Sequence, residues 1–409
     1  MRLLIVLALL PALSWAEGMA LRGGVVHTLS ERGTLQDGVV LVRDGRIEAV
    51  GSGLEIPVGY EVVDTQGTVI TPGLVEAHSG FGLQEIDMEA STRDDVVAEY
   101  ALGPALDVAD AFNGRSTRFA VNRRDGVTRA VVAPLPGNDP FAGWGALVRL
   151  TEDAQLFDTR VAMFATLADA SFTGGSRAAV LQRLREGLVH SRRRASRAPD
   201  AREYRAADRE ALHELQQSGA PLVLEVHRAA DIRRAVNLAE TFGLRLVVLG
   251  GSEAWRVAPV LAAADVAVVL DVFGNLPTGF DRLGARLDNA ALLHEAGVRV
   301  LITSEETQNA RWLRHLAGNA VAAGMPWDAA LAAITVNPAQ TFGFPNGVGQ
   351  IVNGGVADLV VWTGDPLEVT TWAERVMIDG VWQSMATRQT RLLERYRNLD
   401  NEAAPYGYR

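Results

Sequence analysis

The fold of this chain is decided by the stretch Ile70-Thr-Pro-Gly-Leu-Val-Glu-Ala-His-Ser-Gly-Phe-Gly-Leu83. Val69-Ile70 end one strand, and Pro72-Gly73 force a corner. Leu74-Val75 then open a buried strand, and His78 stands where that strand runs out. A polar imidazole at the carboxyl end of a buried parallel strand is where α/β barrels hold their reacting groups.

Before this stretch the pattern is short strands at 21–29, 38–43, 46–51 and 61–70, with Asp44-Gly45 as a hairpin turn. The same texture returns near the far end, at 347–351, 357–362, 375–378 and 381–383, with Asp379-Gly380 as another hairpin turn. Two β segments flanking a long α/β body predict one small β-sandwich domain built from both chain ends, 17–70 with 345–385. The body, 71–344, alternates apolar β-branched runs with helical periodicity, which predicts a parallel sheet or barrel. Candidate strands fall at 74–77, 128–133, 161–167, 222–226, 244–249, 266–270 and 298–303. Helical periodicity falls at 176–189, 207–218, 230–242, 254–263, 289–296, 307–323 and 327–335.

Composition bounds the rest. At 409 residues the chain suits a large domain plus a small one. A formal net charge of −10 argues against nucleic acid as a partner. All 39 basic residues are arginine, and there is no cysteine, so disulfides and lipidated cysteines are excluded. Residues 1–16 read as a cleavable signal peptide: Arg2, an apolar run over 3–13, and Ser14 and Ala16 at the −3 and −1 positions. The expectation is a periplasmic or secreted protein, with no membrane span in the mature chain. Residues 192–210, rich in arginine, interleave acidic residues and read as a solvated loop. Residues 386–409 read as a short amphipathic helix and polar tail, packing on the barrel or on a neighbour in a homo-oligomer.

The stretch at 70–83 resembles the Thr-Pro-Gly-Leu-x-Asp-x-His-x-His opening strand of the amidohydrolase superfamily, in particular its imidazolonepropionase-like group. Asp125-Gly-Val-Thr128 resembles the family's approach to its second strand. Pro134-Leu-Pro-Gly137 with Phe141-Ala-Gly-Trp-Gly-Ala146 looks like the loop after that strand. Ala330-Leu-Ala-Ala-Ile-Thr-Val-Asn-Pro-Ala339 and Gly354-Gly-Val-Ala-Asp-Leu-Val-Val361 resemble the family's late helix pair and return strand. The resemblance implies a (β/α)8 TIM-like barrel of eight strands, of which seven have candidates here.

It also implies a metal-dependent hydrolase of small amides. In the family a divalent metal acidifies water that attacks a carbonyl carbon. Retention of the ligand set is partial. His78 matches the first histidine, and Gly80 replaces the second. A carboxylated lysine is excluded by composition. His227, in Pro221-Leu-Val-Leu-Glu-Val-His-Arg228, fits the strand-five histidine; Gly250-Gly251 come after the next strand, with no imidazole. Glu305 lies where the catalytic aspartate is expected. The expected site is therefore one divalent ion, zinc, on His78 and His227, with Glu305 as base and Glu225 or Glu253 as a further oxygen facing the substrate. The alternatives are histidines left over from an ancestral site, Glu305 paired with an arginine such as Arg311, and a non-catalytic binder or partner protein of the same fold.

Overall fold

The structure, a computed structural model, describes residues 18–86, 88–97, 102–168, 175–191, 204–345 and 347–397. The expected signal peptide, most of the arginine-rich stretch and the polar end of the tail lie outside these residues.

Strands β1 to β5 are Gly18–His27, Thr34–Arg43, Arg46–Ser52, Tyr60–Asp64 and Val69–Pro72. Strands β6 to β13 are Leu74–Ser79, Val127–Val132, Phe141–Arg149, Gln155–Thr166, Leu222–Val226, Leu246–Gly250, Ala267–Leu270 and Val300–Ile302. Strands β14 to β16 are Leu359–Trp362, Ala373–Ile378 and Val381–Trp382.

The first sheet runs β16-β15-β14-β5-β1-β2-β3, with β4 also beside β1. It draws strands from both chain ends, joined where β14 pairs antiparallel with β5. A sandwich is not shown; these strands join into one eight-stranded sheet. The Asp-Gly pairs turn as expected: Asp44, Gly45, Asp379 and Gly380 all have φ between 50° and 77°. The run read as one strand at 61–70 is split by the Gln66-Gly67 turn, and 347–351 forms no strand.

The second sheet is a nearly closed barrel in the order β13-β12-β11-β10-β9-β8-β7-β6. Seven strands match the candidates. The eighth is β8, the segment read as a loop, and it runs antiparallel to both β7 and β9. The barrel thus departs from eight parallel strands. Its glycines misled the reading for a physical reason. A Cβ at Gly143 would lie 2.6 Å from the Leu106 carbonyl oxygen, and one at Gly145 would lie 2.5 Å from the Phe164 ring. These glycines admit close neighbours inside a strand; they do not punctuate a turn.

Alternation along the strands divides the core. Val75, Val131, Val223, Val247, Val269 and Leu301 fill the barrel interior with Phe342 and Phe344. Leu74, Val132, Leu224, Val248, Val268 and Ile302 belong to the larger core shared with the helices. The helix Val336–Phe342 supplies Phe342, so the amino end of the barrel is plugged. The carboxyl end stays open. The helix Arg388–Arg397 buries no side chain, and Leu393 and Tyr396 are exposed.

Barrel and first sheet are joined by buried charge. The Arg129 guanidinium on β7 donates to Asp358 at 2.5 and 3.1 Å and to Asp379 at 2.6 Å. Arg149 on β8 reaches Asp379 at 3.1 Å, and the Asp379 N–H donates to Asp358 at 2.8 Å. Arg129 and Asp358 are almost wholly buried. Removing Asp358 leaves the buried Arg129 guanidinium with only the part-exposed Asp379 as its counter-charge. Asp358→Ala is expected to cost about 3–5 kcal/mol of stability, read as a lower midpoint in urea unfolding; a loss under about 1 kcal/mol would place the joint elsewhere.

Candidate functional site

The barrel's seam lies between β6 and β13, which share no ladder. Glu76 of β6 bridges it. Its carboxylate accepts from the Thr303 hydroxyl at 2.6 Å, the Ser304 hydroxyl at 2.7 Å, the Ser304 N–H at 3.2 Å and the His78 N–H at 3.3 Å. The single Thr303 hydroxyl proton is shared between Glu76 and the His78 carbonyl oxygen, 3.2 Å away, and Oγ1 accepts the Glu305 N–H at 3.1 Å. One buried carboxylate therefore fixes the backbone of His78 and of the turn that carries Glu305. Burial raises the Glu76 carboxyl to about 7, although all four donors pull it down.

His78 and Glu305 line one cavity of about 430 Å³ at the carboxyl end of the barrel, with Arg93, Asp95 and Thr307 among its walls. The His78 ring lies 5.7 Å from that of Phe164, and burial lowers its pKa to about 4. It is neutral at pH 7. Glu305 takes a left-handed conformation, φ 52°, which strains a residue with a Cβ. The residue as a whole is exposed at the mouth; desolvation of its carboxyl by the protein around it, then the charges of Asp271 and Glu225, raise it to about 7, against the opposing pull of Arg282. Among the described residues Glu305 forms no ion pair, so the expected alternative partner Arg311 is not engaged with it.

His227 and Glu225 line an adjoining cavity of about 840 Å³ with Arg177, Phe280 and Arg282. Nδ1 of His227 shares a hydrogen bond of 3.0 Å with the Ser252 hydroxyl. Nε2 lies 3.5 Å from Glu225 and makes no hydrogen bond. Gly250, at φ 88°, makes room for the ring: a Cβ there would lie 2.3 Å from Cε1. Glu225 accepts from Thr166 at 3.0 Å. Burial pushes Glu225 up, and the His227 imidazole and Thr166 outweigh it, so its pKa ends below the usual carboxylate value. Glu253 turns away from both cavities. Its Oε2 accepts the Ala229 N–H at the start of the helix Ala229–Phe242, and Oε1 lies 3.9 Å from Arg256.

The described side chains do not fit a resident metal ion. Among them, no three His, Cys, Asp or Glu groups gather to hold one. His78 and His227 line separate cavities. Gly80 is more than an absent ligand, because the Thr307 hydroxyl accepts its N–H at 3.1 Å and a Cβ would fall 2.9 Å from that oxygen. Sequence reasoning missed Thr303, Ser304, Thr307 and Arg282. Nothing in their local pattern marks them; only the meeting of β6 with β13, and of the 271–288 loop with the mouth, gives them a role.

Residues 257–388 match the family model described as the amidohydrolase family. The amidohydrolase tasK of Hapsidospora irregularis is 37% identical over 93 residues, 22% of this chain, and the match spans about a tenth of that protein's length. The crystal structure of an amidohydrolase from Thermotoga maritima MSB8 is similar at 25% identity and a TM-score of 0.79, over 89% of this chain and 99% of that one. An adenosine deaminase from Xanthomonas campestris with bound zinc shares the fold at 17% identity and a TM-score of 0.53, over 93% and 97% of the two chains. A triazine hydrolase variant does so at 15% and 0.56, over 93% and 99%.

The Glu76 clasp carries a pH signature. A folded-state pKa near 7, against an unfolded value near 4.5, means that the native protein keeps a proton that the unfolded chain has released between those limits. Stability should therefore fall as pH rises from about 4.5 to 7, by about 3 kcal/mol from this group alone. Urea unfolding across that range should show a shallower fall in Glu76→Gln; an unchanged slope would mean that Glu76 does not titrate there.

Proposed function

We propose that this chain, which belongs to the amidohydrolase superfamily, hydrolyses a carbon–nitrogen bond of a small amide or cyclic amide, with Glu305 as the general base. The observation that carries the reading is Glu305 itself: a carboxyl poised near pH 7, on a strained turn, in the same cavity as a neutral imidazole. A base works best when its pKa lies near the working pH. Glu305 takes a proton from water as the oxygen attacks the carbonyl carbon. It returns that proton to the departing nitrogen as the C–N bond breaks. His78, uncharged at pH 7, donates a ring N–H to the carbonyl oxygen. A neutral imidazole polarises a carbonyl in this way without first having to lose a proton. A buried joint at Glu76 keeps both groups from drifting, which matters because a displacement of about 1 Å can cost on the order of 100-fold in rate.

These steps are written without the expected zinc on His78 and His227, since among the described residues no three His, Cys, Asp or Glu groups gather to hold an ion. Export to the periplasm or beyond, by the signal at 1–16, remains part of the proposal and fits a scavenger of external small molecules. The second reading, a binding protein that has kept the barrel mouth without turnover, is favoured by one observation: Gly80 and Gly250-Gly251 stand where the family's other imidazoles would be.

Screening small amides, cyclic amides and acylated amino acids against the purified protein separates the two. The hydrolase reading expects kcat/KM to rise with pH through about 7, as Glu305 loses its proton. Glu305→Gln is expected to lose roughly 10²–10⁴-fold in kcat. Dialysis against a chelator is expected to leave turnover unchanged. Loss of turnover on chelation, restored by zinc, would return the catalytic role to a metal, and binding without turnover across the screen would establish the binder.

A further inference from the structure

The helix Arg388–Arg397 has an apolar face and buries no side chain. Gln389, Leu392, Leu393 and Tyr396 fall on that face at helical spacing, and Leu393 and Tyr396 are 65% and 64% exposed. Its base is firmly rooted. Thr387 is buried, its hydroxyl accepts the Thr390 N–H at 3.2 Å as an N-cap does, and Met385 packs on the larger core. A helix of ten residues is marginal in water, because its few hydrogen bonds barely repay nucleation. A rooted helix this short, with its leucines in water, gains stability only from a surface to lie on.

A matching surface stands on the same chain. Residues 363–372 connect β14 to β15. Arg314, itself buried, donates to the carbonyls of Pro366 at 3.1 Å, Glu368 at 2.8 Å and Thr371 at 2.6 Å. Leu367 points into the core, while Val369 and Trp372 point out, 73% and 62% exposed. A connection pinned by three hydrogen bonds, with its largest apolar side chains in water, is preorganised for contact. β16 is the edge strand of the first sheet and runs antiparallel to β15, back toward this connection. The helix follows β16, so helix and connection lie at the same edge.

The two surfaces are opposite in charge. The helix carries four arginines and one glutamate, whereas residues 363–374 hold Asp365, Glu368 and Glu374 with no basic residue. Arg388, Arg391, Glu368 and Glu374 are all exposed, and among the described residues none of the four forms an ion pair. Like charge opposes pairing of two such helices with each other and favours the acidic face. Within one copy the helix does not lie on that face, since it buries nothing. A lipid surface would account for the helix and leave Val369 and Trp372 unexplained; a second copy accounts for both.

We propose that this edge is a two-fold interface between copies of this chain, in which the helix Arg388–Arg397 of each copy lies on the Val369–Trp372 face of the other, its arginines beside Glu368 and Glu374. Reciprocal burial of the same two surfaces is what a two-fold contact requires. The proposal is independent of what the barrel mouth does.

The test is sedimentation of the full-length protein over a range of concentrations. A dimer is expected that dissociates on dilution, and more readily as salt screens its charge pairs. Leu393→Ser and Trp372→Ser are each expected to weaken association by about tenfold or more. Both side chains are exposed, so circular dichroism should show the fold unchanged. Mixing the two variants should give tighter association than either alone, because the mixed pair regains one intact helix on one intact face. A protein that stays monomeric at every concentration would overturn the proposal. So would a dimer that Trp372→Ser leaves untouched, or a mixture no tighter than its parts. A monomer whose helix instead carries it onto vesicles of phosphatidylglycerol and phosphatidylcholine, with binding lost in Leu393→Ser, would overturn it in favour of lipid.

Discussion

A barrel needs its first and last strands to meet, and here they meet through side chains, with the Glu76 carboxylate at the centre. Glu76 reaches across from β6 and gathers two hydroxyls and an N–H from the end of β13, beside the N–H of His78. A backbone ladder would have closed the seam and left the residues beyond it free to settle elsewhere. A carboxylate closes it and also fixes the next residues on both sides, His78 and the Ser304-Glu305 turn. The arrangement carries a cost. A carboxyl buried this deeply is desolvated, and the four donors only partly compensate, which is why its pKa ends near 7.

The same logic, polar groups buried to fix a geometry, recurs where the barrel meets the sheet of both chain ends. Arg129 on β7 satisfies Asp358 and Asp379, and Arg149 on β8 completes the set. Both arginines also lie over the Phe157 ring, so their flat faces pack while their edges bond. Sequence separations of more than 200 residues are bridged by one network. The first sheet is thereby held against the strands next to the seam, and the amino-end plug around Phe342 and Phe344 lies on the far side from the mouth.

Much of this was legible in the sequence. Corner, buried strand and terminal imidazole at 70–83 placed β6 and His78 correctly, because hydrophobic runs and Pro-Gly corners are local. Both Asp-Gly hairpins were readable for the same reason. The antiparallel β8 was not, since Gly143 and Gly145 signal a turn unless the Leu106 carbonyl and the Phe164 ring are known to lie against them. At the site, residue types were legible and their grouping was not. His78 and Glu305 line one cavity; His227 lines another, turned toward Ser252 and Glu225. Glu253, expected to face the substrate, caps a helix instead. Whether two imidazoles converge depends on side-chain directions around the mouth, and no spacing along the chain encodes those directions.

The central claim is that Glu76 and the end of β13 act as one unit that closes the barrel. A double-mutant cycle on stability tests it most directly, using Glu76→Gln, Ser304→Ala and the pair, each unfolded in urea at pH 7. The two changes should be strongly non-additive, with a coupling of about 1–3 kcal/mol, because each removes a partner of the same buried hydrogen bond. Additive losses within about 0.5 kcal/mol would show that the seam is held by something else.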